Sequence, residues 1–240
     1  MTAQRPSSAM AQAKRIVVLS GAGMSAESGL STFRDRDGIW AQVDIEEVAT
    51  PAGFSRCPER VHSFYNARRQ RLLKANPNEG HIALARLEET HHLTIITQNV
   101  DDLHERAGSH NVLHMHGELK SALCAACGDR APAPDILSVH DQCKNCGESA
   151  LRPDVVWFGE MPYFMDEIDE HLAAADIFVA IGTSGQVSPA NTFVLRAREG
   201  GAMTCELNLE PTTLSSLFHE SRIGPATQLV PEWVAEISNG

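Results

Sequence analysis

The chain has 240 residues, of which 42% are hydrophobic and 21% are charged, and its formal net charge is -11. These proportions are ordinary for a folded globular protein and exclude a disordered or fibrous chain. The acidic balance argues against general binding to nucleic-acid phosphates, which needs a clustered basic patch. The longest apolar runs are far shorter than the roughly 18 residues that a membrane-spanning helix needs, so we expect no membrane association.

The N-terminal stretch MTAQRPSSAMAQAKR lacks the continuous apolar segment of a signal peptide. We therefore expect residues 1–13 to form a mobile tail and the protein to be cytoplasmic. The six cysteines form two C-x-x-C pairs, with Cys57 and Cys205 isolated. This arrangement suits a metal site in a reducing compartment better than a disulfide framework, and we expect Cys57 and Cys205 to be packing residues.

Along the chain, short apolar runs rich in β-branched residues alternate with longer stretches of helical periodicity. This alternation predicts an α/β fold in which a parallel sheet carries helices on both faces. The predicted strands are Arg15–Ser20, Leu93–Thr97, Val112–Met115, Ile177–Ile181, Met203–Leu207 and Gln228–Val230. The predicted helices between them are Glu59–Lys74, Asn78–Glu89 and Met165–Ala174.

Two segments interrupt this alternation. Residues 36–76 form a long crossing between the first two strands, and we predict a small helical insertion there. Residues 121–151 are rich in Cys, Pro and Gly and poor in large apolar side chains. Because such a segment cannot build its own core, it needs a staple to hold its structure.

The cysteine pairs supply that staple. Cys124-x-x-Cys127 and Cys143-x-x-Cys146 are separated by 15 residues, a spacing typical of a tetrahedral zinc site. Four thiolates fill the coordination sphere, whereas a catalytic zinc keeps one position open for water or substrate. The sequence therefore predicts one structural zinc per chain, with a redox-active dithiol pair as the alternative.

A glycine-containing loop follows the first predicted strand in RIVVLSGAGMSAESGL, and the letters SAESGL read as the start of a helix. Gly21 and Gly23 would allow a tight turn and a close approach of the backbone to a pyrophosphate. The spacing departs from G-x-G-x-x-G, because the next glycine is Gly29. On this pattern alone, an ordinary strand-to-helix turn remains an equal alternative.

Further motifs give the chain a family resemblance. GAGMSAESGLSTFRD, residues 21–35, resembles the signature of the sirtuins, which are NAD-dependent protein-lysine deacylases. Other segments match that family in the same order, and the resemblance extends from about Arg15 to Val230. They are TQNVDDLHERAG (97–108), HMHGEL (114–119), the two C-x-x-C pairs, LRPDVVWFGE (151–160), GTS (182–184) and ELN (206–208).

The resemblance implies a reaction in which NAD is consumed, nicotinamide is released and the acyl group of a lysine passes to the ribose. His116 matches the catalytic base of the family, and a neutral imidazole suits that task near pH 7. Asn99 matches a second catalytic position. His114 matches no catalytic position, so we expect it to be a packed, hydrogen-bonded side chain.

The resemblance also implies an NAD site built from several loops. Gln98 and Asn99 would contact the nicotinamide ribose, and Asp101 would contact the carboxamide, although QNVDD is equally compatible with a helix cap. Phe33 would shield the reacting centre from water. The other matched positions are Gly21, Ala22, Gly23, Ser25, Arg34 and Asp35 in the first loop, and Gly182, Thr183, Ser184, Asn208, Leu209, Glu210 and Ala226 around the adenosine half.

The stretch FYNARRQRL gives a clue to the substrate. Tyr65 and Arg68 are three residues apart, so they share a face of the predicted helix. A guanidinium matches a carboxylate, and a phenol adds a hydrogen-bond donor. In one sirtuin subclass a Tyr-x-x-Arg at this place recognises the acidic groups of succinyl-, malonyl- or glutaryl-lysine. The alternative is an amphipathic helix whose basic face is solvated.

Val156, Trp157, Phe158 and Gly159 resemble the segment along which the peptide substrate of a sirtuin pairs as an added β-strand. Main-chain pairing of that kind tolerates many sequences, so we expect acylated lysines of many proteins as partners. The resemblance implies a discontinuous Rossmann-like domain, with residues 121–151 as a zinc module and residues 36–76 as the insertion. The Rossmann-like domain comprises residues 14–35, 77–120 and 152–240.

Other functions remain open at this stage. Mono-ADP-ribosyl transfer begins with the same release of nicotinamide, and a non-catalytic NAD sensor would need only the binding site. An oxidoreductase fits less well, because the matched residues are those of enzymes that release nicotinamide. The sequence leaves the oligomeric state undecided, with a monomer as our expectation.

Overall fold

The structure is a computed structural model, and it describes residues 13–30 and 43–239. In chain order, the strands are β1 (Arg15–Ser20), β2 (His92–Thr97), β3 (Val112–His114), β4 (Gly117–Cys124), β5 (Arg130–Pro132), β6 (Leu151–Val155), β7 (Ile177–Ile181), β8 (Met203–Asn208) and β9 (Glu220–Ile223). The helices are α1 (Ala22–Ala26), α2 (Ile45–Val48), α3 (Pro51–Arg56), α4 (Pro58–Leu72), α5 (Glu79–Leu87), α6 (Leu103–Ala107), α7 (Met165–Ala174), α8 (Phe193–Glu199) and α9 (Ala226–Asn239).

The larger sheet has six parallel strands in the order β3-β2-β1-β7-β8-β9. Numbered by their place along the chain, the strands of this sheet follow the order 3-2-1-4-5-6, which is usual in dinucleotide-binding folds. The chain leaves β1 toward β2 and later crosses to β7 on the other side of β1. The gap between β1 and β7 at their carboxyl ends is therefore the switch point where such sheets bind ligands.

Helices cover both faces of this sheet because the side chains of a strand point alternately to opposite faces. Ile16 and Val18 of β1 pack in one core with residues of α5 and α9. Val17 and Leu19 pack in a second core with residues of α7 and α8. The predicted Rossmann-like parallel sheet with helices on both faces is thus confirmed.

A smaller antiparallel sheet has the order β5-β4-β6. Residues of α2 and α4 pack against β4 and against the segment that follows β6, in a third core that includes Val61, Tyr65, Leu119 and Trp157. The helices α2, α3 and α4 lie within the predicted insertion. The division of the chain into a Rossmann-like domain, an insertion and a zinc module stays a prediction.

Five of the six predicted strands are present, with ends that differ by at most one residue. The sixth prediction, Gln228–Val230, is wrong because these residues belong to α9. Leu229, Val230, Trp233 and Val234 are buried at helical spacing, and they pack on the sheet from one face. The strand at this edge is β9, whose polar sequence ESRI carries little strand signal.

The predicted helices Glu59–Lys74, Asn78–Glu89 and Met165–Ala174 correspond to α4, α5 and α7. The helix that we expected to start within residues 25–30 instead starts at Ala22 and ends at Ala26. A turn follows it and ends at Gly29, whose φ of 86° favours glycine. The strand therefore turns into the helix directly after Gly21. No helix in residues 13–30 or 43–239 has the length and apolar character needed to cross a bilayer.

Candidate active site

The carboxyl ends of β1, β2, β7 and β8 meet at one edge of the larger sheet. A pocket at this edge is lined by the polar residues Gln98, Thr183 and Glu206. Apolar side chains complete its wall, among them Leu19 and Phe178. The pocket lies at the switch point of the strand order, where open α/β sheets bind their ligands.

Glycines at this edge let two loops approach each other closely. The amide of Gly21 donates to the carbonyl of Ile181 at 2.9 Å, and that of Gly23 donates to the carbonyl of Gly182 at 2.9 Å. A Cβ atom on Gly21 or on Gly23 would lie 2.7 Å from backbone atoms of Gly182. Gly182 itself has a φ of 62°, in the left-handed region. The glycines are thus required by contacts within the protein, and these two amides already have partners.

Three predicted NAD-site side chains form one buried network. The side-chain nitrogen Nδ2 of Asn99 donates to the carbonyl of Gly21 at 3.0 Å and to the hydroxyl of Ser25 at 3.1 Å. Ser25 in turn donates to Oδ2 of Asp101 at 3.0 Å, and the amide of Leu103 donates to Oδ1. Burial raises the pKa of Asp101 above its usual value, although these hydrogen bonds favour the charged form. The network joins the loop after β1 to the loop after β2.

His116 is half-buried beside this network, directly before β4. Its Nδ1 atom lies 3.1 Å from the carbonyl oxygen of Gln98. Because a carbonyl only accepts hydrogen bonds, Nδ1 carries the proton and a neutral ring has its lone pair on Nε2. Burial lowers the pKa of His116, while the hydrogen bond to Gln98 acts in the opposite direction. The ring is therefore neutral at pH 7 and is able to accept a proton at Nε2.

The pKa of His114, two residues earlier, is shifted in the opposite direction. Its Nδ1 donates to the carbonyl of Asn99 at 3.3 Å, and its Nε2 lies 2.7 Å from Oε1 of Glu105. Burial opposes protonation of this ring, but Glu105 and the nearby Glu118 outweigh that effect and raise the pKa of His114. With a hydrogen-bond partner at each nitrogen, His114 is a packed, hydrogen-bonded side chain, consistent with our expectation for this residue.

The positions matched to the adenosine half lie around the ends of β7 and β8. The side chain of Asn208 donates to the carbonyl of Thr183 at 3.1 Å. The next two residues, Leu209 and Glu210, are exposed. Ala226 is buried at the start of α9. Ser184 accepts a hydrogen bond from the amide of Gln186 at 3.2 Å.

Glu206 lines the same pocket and was not among the predicted site residues. Its carboxylate is almost fully buried and accepts four hydrogen bonds. Oε1 accepts hydrogen bonds from the side-chain amide of Asn208 at 3.1 Å and from the hydroxyl of Thr212 at 2.6 Å. Oε2 accepts hydrogen bonds from the hydroxyls of Ser215 and Ser221. A glutamate inside the largely buried strand MTCELN was the signal that a polar function lay there.

Tyr65 and Arg68 lie on one face of α4, as predicted from their spacing. The guanidinium carbon of Arg68 is 5.6 Å from the centre of the Tyr65 ring. The hydroxyl of Tyr65 accepts a hydrogen bond from the indole nitrogen of Trp157 at 2.9 Å. Burial raises the pKa of Tyr65 and lowers that of Arg68. Sequence reasoning did not foresee the contact between Tyr65 and Trp157, because 91 residues lie between them in the chain.

The segment from Val156 to Gly159 connects these groups to His116. The amide of Val156 donates to the carbonyl of His116 at 2.9 Å, and the amide of Phe158 donates to the carbonyl of Ala49 at 3.0 Å. The Phe158 side chain is exposed, and Gly159 has a φ of 92°. The segment thus runs between the end of α2 and the catalytic-base candidate. Its pairing with a peptide stays a prediction.

The four predicted zinc ligands are close together at the end of the smaller sheet. Their sulfur atoms all lie within 4.8 Å of one another, and two pairs, Cys124 with Cys146 and Cys127 with Cys143, are 3.7 Å apart. A tetrahedral zinc with bonds of ~2.3 Å separates its sulfur ligands by about 3.8 Å. The arrangement fits a closed four-thiolate zinc site, which provides no open position for catalysis.

The remaining cysteines differ from each other. Cys205 is buried in β8, and burial raises the pKa of its thiol to about 12, consistent with a packing role. Cys57 is exposed between α3 and α4, so the prediction that it packs in the interior is wrong. Its carbonyl accepts the amide of Val61 at the start of α4. The predicted cofactor-loop residues Phe33, Arg34 and Asp35 lie outside the described residues.

Comparison with known proteins agrees with this geometry. Residues 21–189 match the model of the Sir2 family. A NAD-dependent protein deacylase of Caulobacter vibrioides is 52% identical over 229 residues, covering 93% of this chain and 96% of that protein. A NAD-dependent protein deacylase of Leishmania major is 53% identical over 230 residues, covering 92% and 95%.

Solved structures give the same result. A Sir2 homologue in complex with ADP-ribose has a TM-score of 0.89 and 39% identity, covering 96% of this chain and 94% of that one. A Sir2 homologue in complex with NAD has a TM-score of 0.87, 39% identity and coverages of 96% and 91%. A Sir2 complex with a deacetylated p53 peptide and 3′-O-acetyl-ADP-ribose has a TM-score of 0.83, 27% identity and coverages of 95% and 95%. The motifs, the strand order and these similarities together show that the chain belongs to the Sir2 family.

Proposed function

We propose that this protein uses NAD to remove acetyl groups, and also the acidic succinyl and malonyl groups, from lysine side chains of many proteins. NAD-dependent protein deacylation follows from membership of the Sir2 family and from relatives of that activity at 52% and 53% identity. The range of acyl groups and the roles of individual residues are the parts that we propose. One observation carries them: the neutral His116, the network of Asn99 and Asp101, and the pair Tyr65 and Arg68 all lie around the Val156–Gly159 segment and the carboxyl end of β2.

His116 is the proposed general base. Its proton is held on Nδ1 by Gln98, so Nε2 has a lone pair to accept the proton of a ribose hydroxyl. Asn99 acts beside it, and its side chain is fixed by Gly21 and Ser25. Because this orientation exists before any ligand binds, little reorganisation is required during the reaction.

NAD, when bound, supplies the reactive nicotinamide ribose and the acceptor for the acyl group. In the proposed site, Gln98 and Asn99 hold that ribose and Asp101 holds the carboxamide. The raised pKa of Asp101 fits this role, because a protonated carboxyl donates to the carboxamide oxygen and a charged one accepts from its nitrogen. Other chain segments hold the rest of the dinucleotide. They are Gly21, Ala22, Gly23 and Ser25 with Phe33, Arg34 and Asp35, and Gly182, Thr183, Ser184, Asn208, Leu209, Glu210 and Ala226.

Tyr65 and Arg68 are the proposed recognition site for an acidic acyl group. A guanidinium and a phenol on one helix face offer several donors to a single carboxylate. Burial strengthens such a contact, since water competes less for the charge. Peptide backbone would pair along Val156, Trp157, Phe158 and Gly159, which leaves the substrate sequence broadly unrestricted.

The four cysteines hold zinc in a structural role in this proposal, remote from the reacting atoms. A reducing compartment keeps such thiolates available, so we propose that the protein acts in the cytoplasm. We propose a monomer as the active form. Size-exclusion chromatography with light scattering checks this last point directly.

The deciding experiment supplies NAD with peptides of one sequence that carry acetyl-, malonyl- or succinyl-lysine. Released nicotinamide is measured together with the mass of each product. O-acyl-ADP-ribose from all three peptides supports the proposal. ADP-ribose attached to protein would instead indicate a mono-ADP-ribosyltransferase, and NAD binding without nicotinamide release would indicate a sensor. Turnover of the acetyl peptide alone would remove the acidic acyl groups from the proposed function.

A further inference from the structure

The contact between Tyr65 and Trp157 is buried on both sides. Only 1% of Tyr65 and 2% of Trp157 is exposed, and the indole nitrogen is 2.9 Å from the phenolic oxygen. An indole N–H only donates, so the oxygen of Tyr65 is the acceptor. The phenolic proton of Tyr65 is not used in this hydrogen bond.

This contact determines where the phenolic proton points. Conjugation keeps the O–H bond of a tyrosine in the plane of its ring, with two orientations along that plane. Trp157 and Arg68 both donate to this oxygen, so the phenolic proton takes the orientation that avoids these two donors. Accepting a hydrogen bond also polarises the phenol and makes it a stronger donor. Burial raises the pKa of Tyr65, so the proton stays in place near neutral pH.

Trp157 is itself held firmly. Its backbone amide donates to Oε2 of Glu160 at 2.8 Å. Arg152 forms two hydrogen bonds to the same carboxylate, at 2.6 Å and 2.8 Å. The guanidinium carbon of Arg152 lies 3.7 Å from the centre of a Trp157 ring, a close cation–π contact. The partly buried ion pair therefore fixes the indole ring, and the ring fixes the direction of its N–H.

Arg68 completes the arrangement. It shares the face of α4 with Tyr65, and its guanidinium carbon is 5.6 Å from the Tyr65 ring centre. A carboxylate near this pair would meet a cation and a neutral donor. An acetyl group has no carboxylate and would gain nothing from either.

We propose that Trp157 is a positioning residue for acidic acyl groups: its indole N–H orients the Tyr65 hydroxyl so that the phenolic proton and Arg68 together receive the free carboxylate of a succinyl- or malonyl-lysine. This inference rests on the acidic acyl range proposed above. It assigns to Trp157 a part in substrate discrimination that is separate from pairing with the peptide backbone.

The test is a double-mutant cycle with Tyr65→Phe, Trp157→Phe and their combination. For each variant, kcat/KM is measured on succinyl- and acetyl-lysine peptides of one sequence, and the ratio of the two values is compared. Loss of one oriented hydrogen bond should lower the succinyl-to-acetyl ratio of Trp157→Phe by about three- to tenfold. In the Tyr65→Phe background the same change should leave the ratio within about twofold, since the hydroxyl is already gone.

A merely structural role of Trp157 predicts something different. It would lower both activities together, or lower the ratio by the same factor with and without the Tyr65 hydroxyl, and either result overturns the inference. Trp233→Phe is the matched control, because Trp233 is equally buried but belongs to the core at α9. Its succinyl-to-acetyl ratio should equal that of the wild type.

If Trp157→Phe does not fold, 3-benzothienylalanine at position 157 serves instead, because it keeps the shape of the indole and lacks the N–H. The same fall in the ratio is expected, and an unchanged ratio overturns the inference. If the wild type does not act on succinyl-lysine, or if Arg68→Met leaves that activity unchanged, the proposed function itself is contradicted. Activity that depends on Arg68 but a ratio that does not depend on Trp157 would overturn this inference alone.

Discussion

His116 donates from Nδ1 to the carbonyl oxygen of Gln98, and the distance between the two atoms is 3.1 Å. The preceding histidine makes a parallel contact, since Nδ1 of His114 donates to the carbonyl of Asn99. Two successive carbonyls of the loop after β2 are thus held by two histidines at the end of β3. The partner of Nε2 distinguishes the rings, because Glu105 raises the pKa of His114, whereas burial lowers the pKa of His116.

Replacing His116 by Ala removes the proposed base. We expect kcat/KM for deacylation to fall by about 10²- to 10⁴-fold, the range for loss of a general base. Zinc content and the thermal unfolding midpoint should stay close to those of the wild type. His110→Ala is the control, as that side chain is highly exposed. Near-normal turnover of His116→Ala would contradict the assignment.

The pH dependence follows from the lowered pKa of His116. A base must be unprotonated to accept a proton, and a pKa below 6.5 keeps His116 neutral to a lower pH than an ordinary histidine. The acidic limb of kcat/KM against pH should therefore have its midpoint below 6.5, with a plateau above it. Titration of the His116 ring by NMR should give the same midpoint. A limb well above 6.5 would show that this group does not govern the reaction.

Replacing Arg68 by Met removes the cation proposed to bind an acidic acyl group. Hydrogen bonds to charged groups contribute about 1.5–3 kcal/mol, so kcat/KM for succinyl-lysine should fall about 10- to 100-fold more than that for acetyl-lysine. Arg71→Met, an exposed change on the same helix, should leave the ratio as in the wild type. An equal fall on both substrates would count against recognition of the carboxylate.

Loss of zinc should disrupt the smaller sheet first. We expect about one zinc per chain in carefully purified protein, and Cys143→Ser should lose it. Faster hydrogen exchange is expected in β5 and in the cysteine turns, with a lower unfolding temperature. Cys57→Ser should retain the metal, because Cys57 lies outside the four-sulfur cluster. Well under one zinc per chain in the wild type would contradict the site.

Replacing Glu206 should weaken the binding of NAD more than the binding of the peptide. Its carboxylate fastens Asn208, Thr212, Ser215 and Ser221 around the pocket. Glu206→Ala leaves these donors without their acceptor, so the free energy of unfolding should fall by about 2–4 kcal/mol. The KM for NAD should rise about tenfold, with a smaller change in the KM for peptide. Equal changes in both would point to general loss of structure.

The strands of the larger sheet are predictable from the sequence because buried parallel strands are continuous apolar runs. Arg15–Ser20 and Ile177–Ile181 were found with their correct ends. The polar edge strand Glu220–Ile223 has no such run, and the helix Ala226–Asn239 was mistaken in part for a strand because a short apolar run fits either. The periodicity of apolar residues does not reveal a polar strand at the edge of a sheet.

For the site, motifs identified residues but not their partners. The pair Tyr65 and Arg68 was readable from helical spacing, whereas the indole that contacts Tyr65 comes from a distant segment. Likewise, H-x-H does not reveal which ring has the raised pKa, because the partners Glu105 and Gln98 come from elsewhere in the chain. The pKa shifts and hydrogen-bond partners of these side chains depend on tertiary packing. They are therefore not readable from the neighbouring residues in the sequence.

The close approach of Gly21 and Gly23 to Gly182 has a consequence for the whole binding cleft. The loop after β1, matched to the first cofactor loop, and the loop after β7, matched to the adenosine half, are joined through backbone hydrogen bonds with no side chain between them. The two loops that we propose to contact the dinucleotide are therefore held in one arrangement by the protein itself, before any ligand binds. A methyl group at any of these glycines would force the two loops apart, so it should weaken binding of the whole dinucleotide.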